Sequence, residues 1–316
     1  MWSFATVDAP PPVTLPVEPV NENEGNENQP SEGLEESSQA PQIPKSESIA
    51  IFIEPFRAAT ELLNNNEEYI SIRIPVTATT EKSPLVYYFD DLYQTWIALP
   101  TVRNGDILTA EAPVDSWITA LSHTDVTQPT DILESWASRE IMKLTSLQIF
   151  NGFGDGSFKP QEITSRYQIA VTLSKAMGLI PTDDTTEVLG SSSETLRETA
   201  PEWAKPYVEL MLSTGIMKGT ENSFEGAQGI TRAEMATILG RVLQNVGDLG
   251  HESSNAITFQ DAALFPEWAV SGIGAAMEAG IIKGYPDGSF NPQTTLTRAE
   301  MATIVSRLMD YLKERA

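Results

Sequence analysis

Three hydrophobic patterns succeed one another along the chain. Up to about residue 48 there is almost none. Pro, Glu, Asn, Gln and Ser dominate, as in Ala9-Pro10-Pro11-Pro12 and Asn21-Glu22-Asn23-Glu24-Gly25-Asn26-Glu27-Asn28. Such a segment cannot bury enough apolar surface to offset its ordering entropy, so residues 1–48 are predicted to be a disordered acidic linker. Between residues 49 and 124 short apolar runs appear. Ile49-Ala50-Ile51-Phe52-Ile53 is continuous, residues 69–76 alternate with period two, and the runs 85–89 and 95–99 flank Asp90-Asp91. Arg103-Asn104-Gly105-Asp106 is a turn signal before Ile107-Leu108-Thr109-Ala110. Runs of this kind joined by short turns predict strands, hence a small antiparallel β module over 49–124. Its size is small for an independent domain, so it reads as part of something larger.

From about Val126 the period becomes helical and the chain repeats itself. Trp136-Ala137, Gly152-Phe153-Gly154-Asp155-Gly156-Ser157-Phe158-Lys159-Pro160 and Ser165-Arg166-Tyr167-Gln168 form one set. Trp203-Ala204, Gly219-Thr220-Glu221-Asn222-Ser223-Phe224 and Thr231-Arg232-Ala233-Glu234 form the second. Trp268-Ala269, Gly284-Tyr285-Pro286-Asp287-Gly288-Ser289-Phe290-Asn291-Pro292 and Thr297-Arg298-Ala299-Glu300 form the third. The arginines recur at a constant step of 66 residues and the tryptophans at steps of 67 and 65, which marks a true repeat. The copies fall at 126–180, 194–246 and 257–312. In the third, Pro266-Glu267 opens a helix that carries Ile273, Ala276, Met277 and Ile281 at helical spacing. Gly280 and Gly284 end it, and a second helix starts at Thr297 with Met301, Ile304, Val305 and Leu308 on one side.

Thr297 with Glu300, Thr231 with Glu234 and Ser165 with Gln168 are capping boxes, which accounts for those residues without a ligand. The arginine after each cap is not accounted for that way, because a cation in the first turn opposes the helix macrodipole. A guanidinium at a helix N-terminus suits an anion, and this reading is favoured. The plainer alternative is an arginine pairing with a nearby Glu or a loop carbonyl. For a tryptophan at the start of an amphipathic helix the ordinary reading is core or half-core. The Gly-Asp-Gly-Ser loops lack the spaced carboxylates of a calcium loop and read as plain turns.

Composition narrows the function. Lys and Arg number 20 against 44 Asp and Glu, a formal charge of −24, which disfavours nucleic acid and anionic membrane surfaces as partners. The absence of cysteine removes disulfides and thiolate chemistry, and two distant histidines, His123 and His251, do not make a zinc site. No cofactor is implied. No run is long enough to span a bilayer. Residues 1–8 lack a basic, then apolar, leader pattern, so the N-terminus is expected to be incomplete or misassigned.

The motif from Gly284 to Pro292 followed by Leu296-Thr297-Arg298-Ala299-Glu300, with Phe259-Gln260-Asp261 before Trp268-Ala269, resembles the S-layer homology (SLH) repeat. The resemblance covers all three copies, about three-fifths of the chain. It implies a mostly α fold, a pseudo-threefold bundle of three helix–loop–helix repeats. It implies grooves that bind a secondary cell-wall polysaccharide attached to peptidoglycan, often pyruvylated, at the bacterial cell surface. It nominates Arg166, Arg232 and Arg298, with Asp131, Asp261, Trp136, Trp203, Trp268, Gly152 and Gly284 as supporting site residues.

Four departures stand out. Tyr167 replaces the usual Ala and is expected to reshape its groove; Gln148 stands where a Gly is usual. The second loop is one residue shorter, lacks Asp-Gly and carries Glu221, and Leu196-Arg197-Glu198 stands near the expected Phe-x-Asp. The groove of repeat 2 is therefore expected to be the weakest. The favoured reading is a non-catalytic surface anchor. A structural S-layer or envelope protein, whose β module meets lattice or surface-protein neighbours, is the alternative. A fragment of an exported glycan-active enzyme ranks last. Its candidate acids Asp90, Asp91, Asp106 and Glu111 lie at turn-like positions.

Overall fold

The computed structural model describes residues 50–51, 56–57, 68–76, 83–122, 126–181, 200–219, 223–247 and 259–315. The linker expected over 1–48, His123, His251, Glu221 with its two neighbours, and Leu196-Arg197-Glu198 lie outside them. The chain divides into two compact units at the step from Val126 to Thr127.

Among the described residues the first unit is all β, and its strands follow the period-two runs. One antiparallel sheet holds β1 (Ala50–Ile51), β8 (Trp117–Ser122), β4 (Leu85–Asp90) and β5 (Thr95–Ala98) in that order, with β2 (Phe56–Arg57) also on β8. The other orders β3 (Tyr69–Pro75), β7 (Ile107–Pro113) and β6 (Val102–Asn104). Alternation decides which face is inward. Ile70, Ile72 and Ile74 stand opposite Ala112, Ala110 and Leu108, and join Val76, Val86, Leu99, Ile118 and Ala120 in one core. The β4–β5 turn is held by Asp90, whose Oδ1 accepts from the amides of Leu92 (3.0 Å) and Tyr93 (3.2 Å). Its Oδ2 accepts from the Tyr88 hydroxyl at 2.9 Å.

The second unit contains six helices among the described residues. They are α1 (Ser138–Ser146), α2 (Arg166–Ala176), α3 (Lys205–Ser213), α4 (Arg232–Asn245), α5 (Glu267–Glu278) and α6 (Arg298–Lys313). No helix there is long and apolar enough to cross a membrane. The short first helices end alike. Gln148, Gly215 and Gly280 each take a left-handed φ of 57°, 70° and 68°, and the chain folds back over the last turn. Gly suits that conformation; Gln148 adopts it at a cost.

The second helix of each repeat packs on the first helix of the next: α2 on α3, α4 on α5, and α6 back on α1. The α4–α5 crossing is tightest, because Gly240 and Gly272 meet there; a Cβ on Gly272 would lie 2.7 Å from the Ala236 carbonyl oxygen. At the centre, bridges join Ile163 to Thr297, Ser165 to Gly229 and Thr231 to Thr295. The residues between them, Thr164, Ile230 and Leu296, are fully buried. The contacts therefore run from repeat 1 to 2, from 2 to 3 and from 3 to 1.

Candidate functional site

The capping boxes read from the sequence are all formed. Ser165, Thr231 and Thr297 accept from the amides of Gln168, Glu234 and Glu300, whose side chains reach back to the cap amides. The amides before them are also used. Those of Arg166 and Tyr167 donate to the carbonyls of Gln228 (3.0 Å) and Gly226 (2.9 Å). Those of Arg232 and Ala233 donate to Thr294 (2.9 Å) and Pro292 (3.0 Å), and those of Arg298 and Ala299 to Glu162 (2.8 Å) and Pro160 (2.9 Å). The first three amides of these helices are thus donated within the protein and are not offered to an anion.

Each arginine extends the same grip. Arg166 donates from Nε to the Phe224 carbonyl (3.1 Å) and from Nη2 to that of Lys218 (2.6 Å). Arg232 reaches Phe290 (2.7 Å) and Lys283 (2.7 Å), and Arg298 reaches Phe158 (2.6 Å) and Asn151 (3.1 Å). The loop-carbonyl pairing weighed from the sequence is therefore present in all three copies, always toward the next repeat. The guanidiniums also lie over aromatic rings. The Arg298 guanidinium carbon is 4.3, 4.6 and 4.3 Å from the ring centroids of Phe150, Phe153 and Phe158. That of Arg232 is 4.5 Å from Tyr285 and 4.7 Å from Phe290, and that of Arg166 is 5.0 Å from Phe224.

Burial sets the electrostatics. It lowers the pKa of all three arginines, that of Arg298 to about 10, which leaves the group cationic at neutral pH. Arg298 is 2% exposed and Arg232 5%; Arg166 is half-buried. Arg232 Nη1 lies 3.8 Å from Glu300 Oε1. That oxygen also accepts from the Tyr285 hydroxyl (2.7 Å), which burial, then the Glu300 bond, pushes up to about 12. Among the described residues neither Arg166 nor Arg298 has a carboxylate within ion-pair distance. A desolvated cation held by neutral carbonyls favours an added anion.

The supporting residues take two roles. Asp131 accepts from the amides of Phe158 (2.8 Å) and Lys159 (2.8 Å), and Asp261 from those of Phe290 (2.9 Å) and Asn291 (2.7 Å). These carboxylates brace the loop whose Phe carbonyl the arginine grips. Gly152 and Gly284 keep the loop closed; a Cβ on them would lie 2.5 Å from the Ser157 carbonyl oxygen and 2.2 Å from the Phe259 ring. Asp155 and Asp287 bond the amide and hydroxyl of Ser157 and Ser289, a local turn lock that holds both carboxyls below their usual range. The tryptophans depart from the ordinary core reading. Trp136, Trp203 and Trp268 are 64%, 55% and 58% exposed. Trp136 and Trp203 precede the N-cap residues Ala137 and Ala204, outside the apolar stripe of their helices.

Every groove thus takes its arginine from one repeat and its loop from the next. Asp131 and Gly152 serve the loop gripped by Arg298, and Asp261 and Gly284 that gripped by Arg232. Arg166 meets the shortened loop of repeat 2, so the departures at Tyr167 and in that loop fall on one groove. Phe158, Phe224 and Phe290 are fully buried, and each is both ring and carbonyl partner to an arginine. Their recurrence at the end of each loop was their signal in the sequence.

The S-layer homology domain family matches residues 130–170, 195–236 and 258–302. The chain is 32% identical over 164 residues to the "Cellulosome-anchoring protein" of Acetivibrio thermocellus, covering 50% of this chain and 35% of that protein. It is 24% identical over 174 residues to the "S-layer protein" of Bacillus thuringiensis subsp. finitimus (55% and 20%). It is 25% identical over 235 residues to the "Amylopullulanase" of Thermoanaerobacterium thermosulfurigenes (74% and 12%). That last match is longer than residues 127–316, so it reaches into the β unit. The chain spans about a third or less of the length of these relatives.

Proposed function

Given that the chain carries three S-layer homology domains, we propose that it is a non-catalytic anchor that holds a secondary cell-wall polysaccharide at the bacterial cell surface. The repeats form a pseudo-threefold bundle, a reading supported by contacts that pass from repeat 1 to 2, 2 to 3 and 3 to 1. The polymer lies in the grooves between neighbouring repeats. Its acidic sugar, a pyruvyl ketal, meets Arg166, Arg232 and Arg298, and its ring faces meet Trp136, Trp203 and Trp268. One observation carries the reading: an exposed tryptophan recurs in every repeat together with a desolvated arginine. An exposed indole suits the apolar face of a sugar and a guanidinium suits a carboxylate.

The test is cosedimentation of the full chain with peptidoglycan sacculi that carry their secondary polymer and with sacculi stripped of it. The tryptophans are the clean probes, because their exposure makes Trp→Ala changes mild for the fold. Binding only to polymer-bearing sacculi, weakened by Trp136→Ala and Trp268→Ala, is expected. Equal binding to both kinds of sacculi makes peptidoglycan the ligand and overturns the reading. The match to an S-layer protein favours one further reading, a lattice former whose β unit contacts neighbours; ordered sheets from the purified chain would support it.

A further inference from the structure

Besides their loops, the three grooves differ at one pair of facing positions. Ala233 faces Pro292 and Ala299 faces Pro160, each alanine amide bonding the proline carbonyl (3.0 and 2.9 Å). At the matching place in the groove between repeats 1 and 2, Tyr167 faces Gly226 with the same backbone bond (2.9 Å). The large and the small residue have exchanged sides. A Cβ on Gly226 would lie 1.9 Å from the Tyr167 ring, so a proline at 226 would displace that ring from this position. The room gained is filled by aromatic surface. The Tyr167 ring stacks on Phe224 (5.9 Å, 25°) and stands edge-on to Trp203 (6.3 Å, 78°). Tyr167 is half-buried and Trp203 is 55% exposed, so two rings nearly at right angles form a corner beside Arg166.

We infer that Tyr167 is a specificity-determining residue that makes the groove between repeats 1 and 2 a stacking site for the uncharged C–H face of a sugar ring. The two grooves that keep Ala233 and Ala299 retain the charge-led recognition of the acidic sugar. A corner of two aromatic rings offers apolar contact along two sides of a pyranose, and needs no carboxylate on it. This inference rests on the polysaccharide-anchor reading above.

The experiment uses the full chain and two probes: the isolated wall polymer, and the same polymer after mild acid hydrolysis of its ketals. Wild type is compared with Tyr167→Phe and with the double variant Tyr167→Ala/Gly226→Pro. The double variant rebuilds the alanine–proline pairing of the other grooves, and its melting temperature reports that it folds. Wild type and Tyr167→Phe are expected to keep binding to the ketal-free polymer, and the double variant to bind it about tenfold more weakly. An unchanged or tighter double variant overturns the inference, the latter by showing that Tyr167 obstructs the groove. Wild type that binds native but not ketal-free polymer overturns it too, while leaving the anchor reading in place. Wild type that binds neither probe removes both.

Discussion

Replacing Arg298 by alanine tests whether these arginines are first of all clasps between repeats. The side chain donates two hydrogen bonds, to the buried Phe158 carbonyl at 2.6 Å and the part-buried Asn151 carbonyl at 3.1 Å, and lies against three aromatic rings. A bond to a charged group contributes about 1.5–3 kcal/mol, and truncation leaves both carbonyls short of a partner. Loss of the arginine's own desolvation penalty offsets part of that, so a net loss of about 3–5 kcal/mol is expected. For a unit of this size each kcal/mol moves the melting temperature by about 2–4 °C, which makes a fall of roughly 10 °C. The assay is thermal unfolding of the full chain followed by helical circular dichroism. Arg232→Ala is expected to behave like Arg298→Ala, and half-buried Arg166→Ala to lose clearly less. Arg298→Lys keeps the charge but not the planar fork and recovers at most half. A melting temperature for Arg298→Ala within about 2 °C of wild type would refute the clasp. A loss of polymer binding in an arginine variant points to ligand contact only where the melt is unchanged.

Thr164 is fully buried and its hydroxyl has no hydrogen-bond partner among the described residues, so Thr164→Val should stabilise the chain by about 1 kcal/mol in chemical denaturation; destabilisation would mean that the hydroxyl is satisfied. Gln148→Gly relieves a left-handed residue at φ 57° but loosens the unfolded chain, for a net gain of about 0.5 kcal/mol; a loss above about 1 kcal/mol would contradict the strain argument. Gly272→Ala drives a Cβ to 2.7 Å from both the Ala236 oxygen and the Thr237 Cα, and should cost about 1–3 kcal/mol; a neutral melt would show that α4 and α5 can separate freely. A chain of charge −24 repels an anionic polymer at long range, and that repulsion is screened beyond about 8 Å at physiological salt. Polymer binding should therefore strengthen with moderate added salt before the ion pairs weaken, and a monotonic loss from the lowest salt upward would count against this.

What could be read from the sequence was what depends on short range. Capping boxes span four residues, and the β3 and β7 alternation is local, so helix starts and strand faces followed directly from residue order. The arginine grip could be named only as one of two options, because its partners are distant. Arg298 bonds Phe158 across 140 positions, and no spacing rule indicates which loop a given helix start will meet. The same blindness split one altered groove into two separate departures, Tyr167 in repeat 1 and the short loop in repeat 2. The tryptophans misled for a different reason. Their place at a helix start suggested half-burial, but Trp136 and Trp203 sit just outside the first turn, where the apolar stripe does not hold them.

A single repeat of this kind cannot make a groove. It supplies an arginine with no loop to grip and a loop with no arginine to brace it, and the first amides of its second helix have no acceptors. Adding a second repeat completes one groove and leaves both outer ends open. Only the return of Arg298 to Asn151 and Phe158 satisfies every end, so the cycle of inter-repeat contacts closes with the third repeat. The same arrangement explains why the cation is buried rather than free on the surface. An arginine already fixed by two carbonyls and an aromatic bed loses little side-chain freedom when a ligand docks, so more of the ion-pair energy is available for affinity. The cost is a desolvated charge in the unliganded ring. A carboxylate bound beside the arginine would offset that cost, so under the proposed function the wall polymer should raise the melting temperature of the chain.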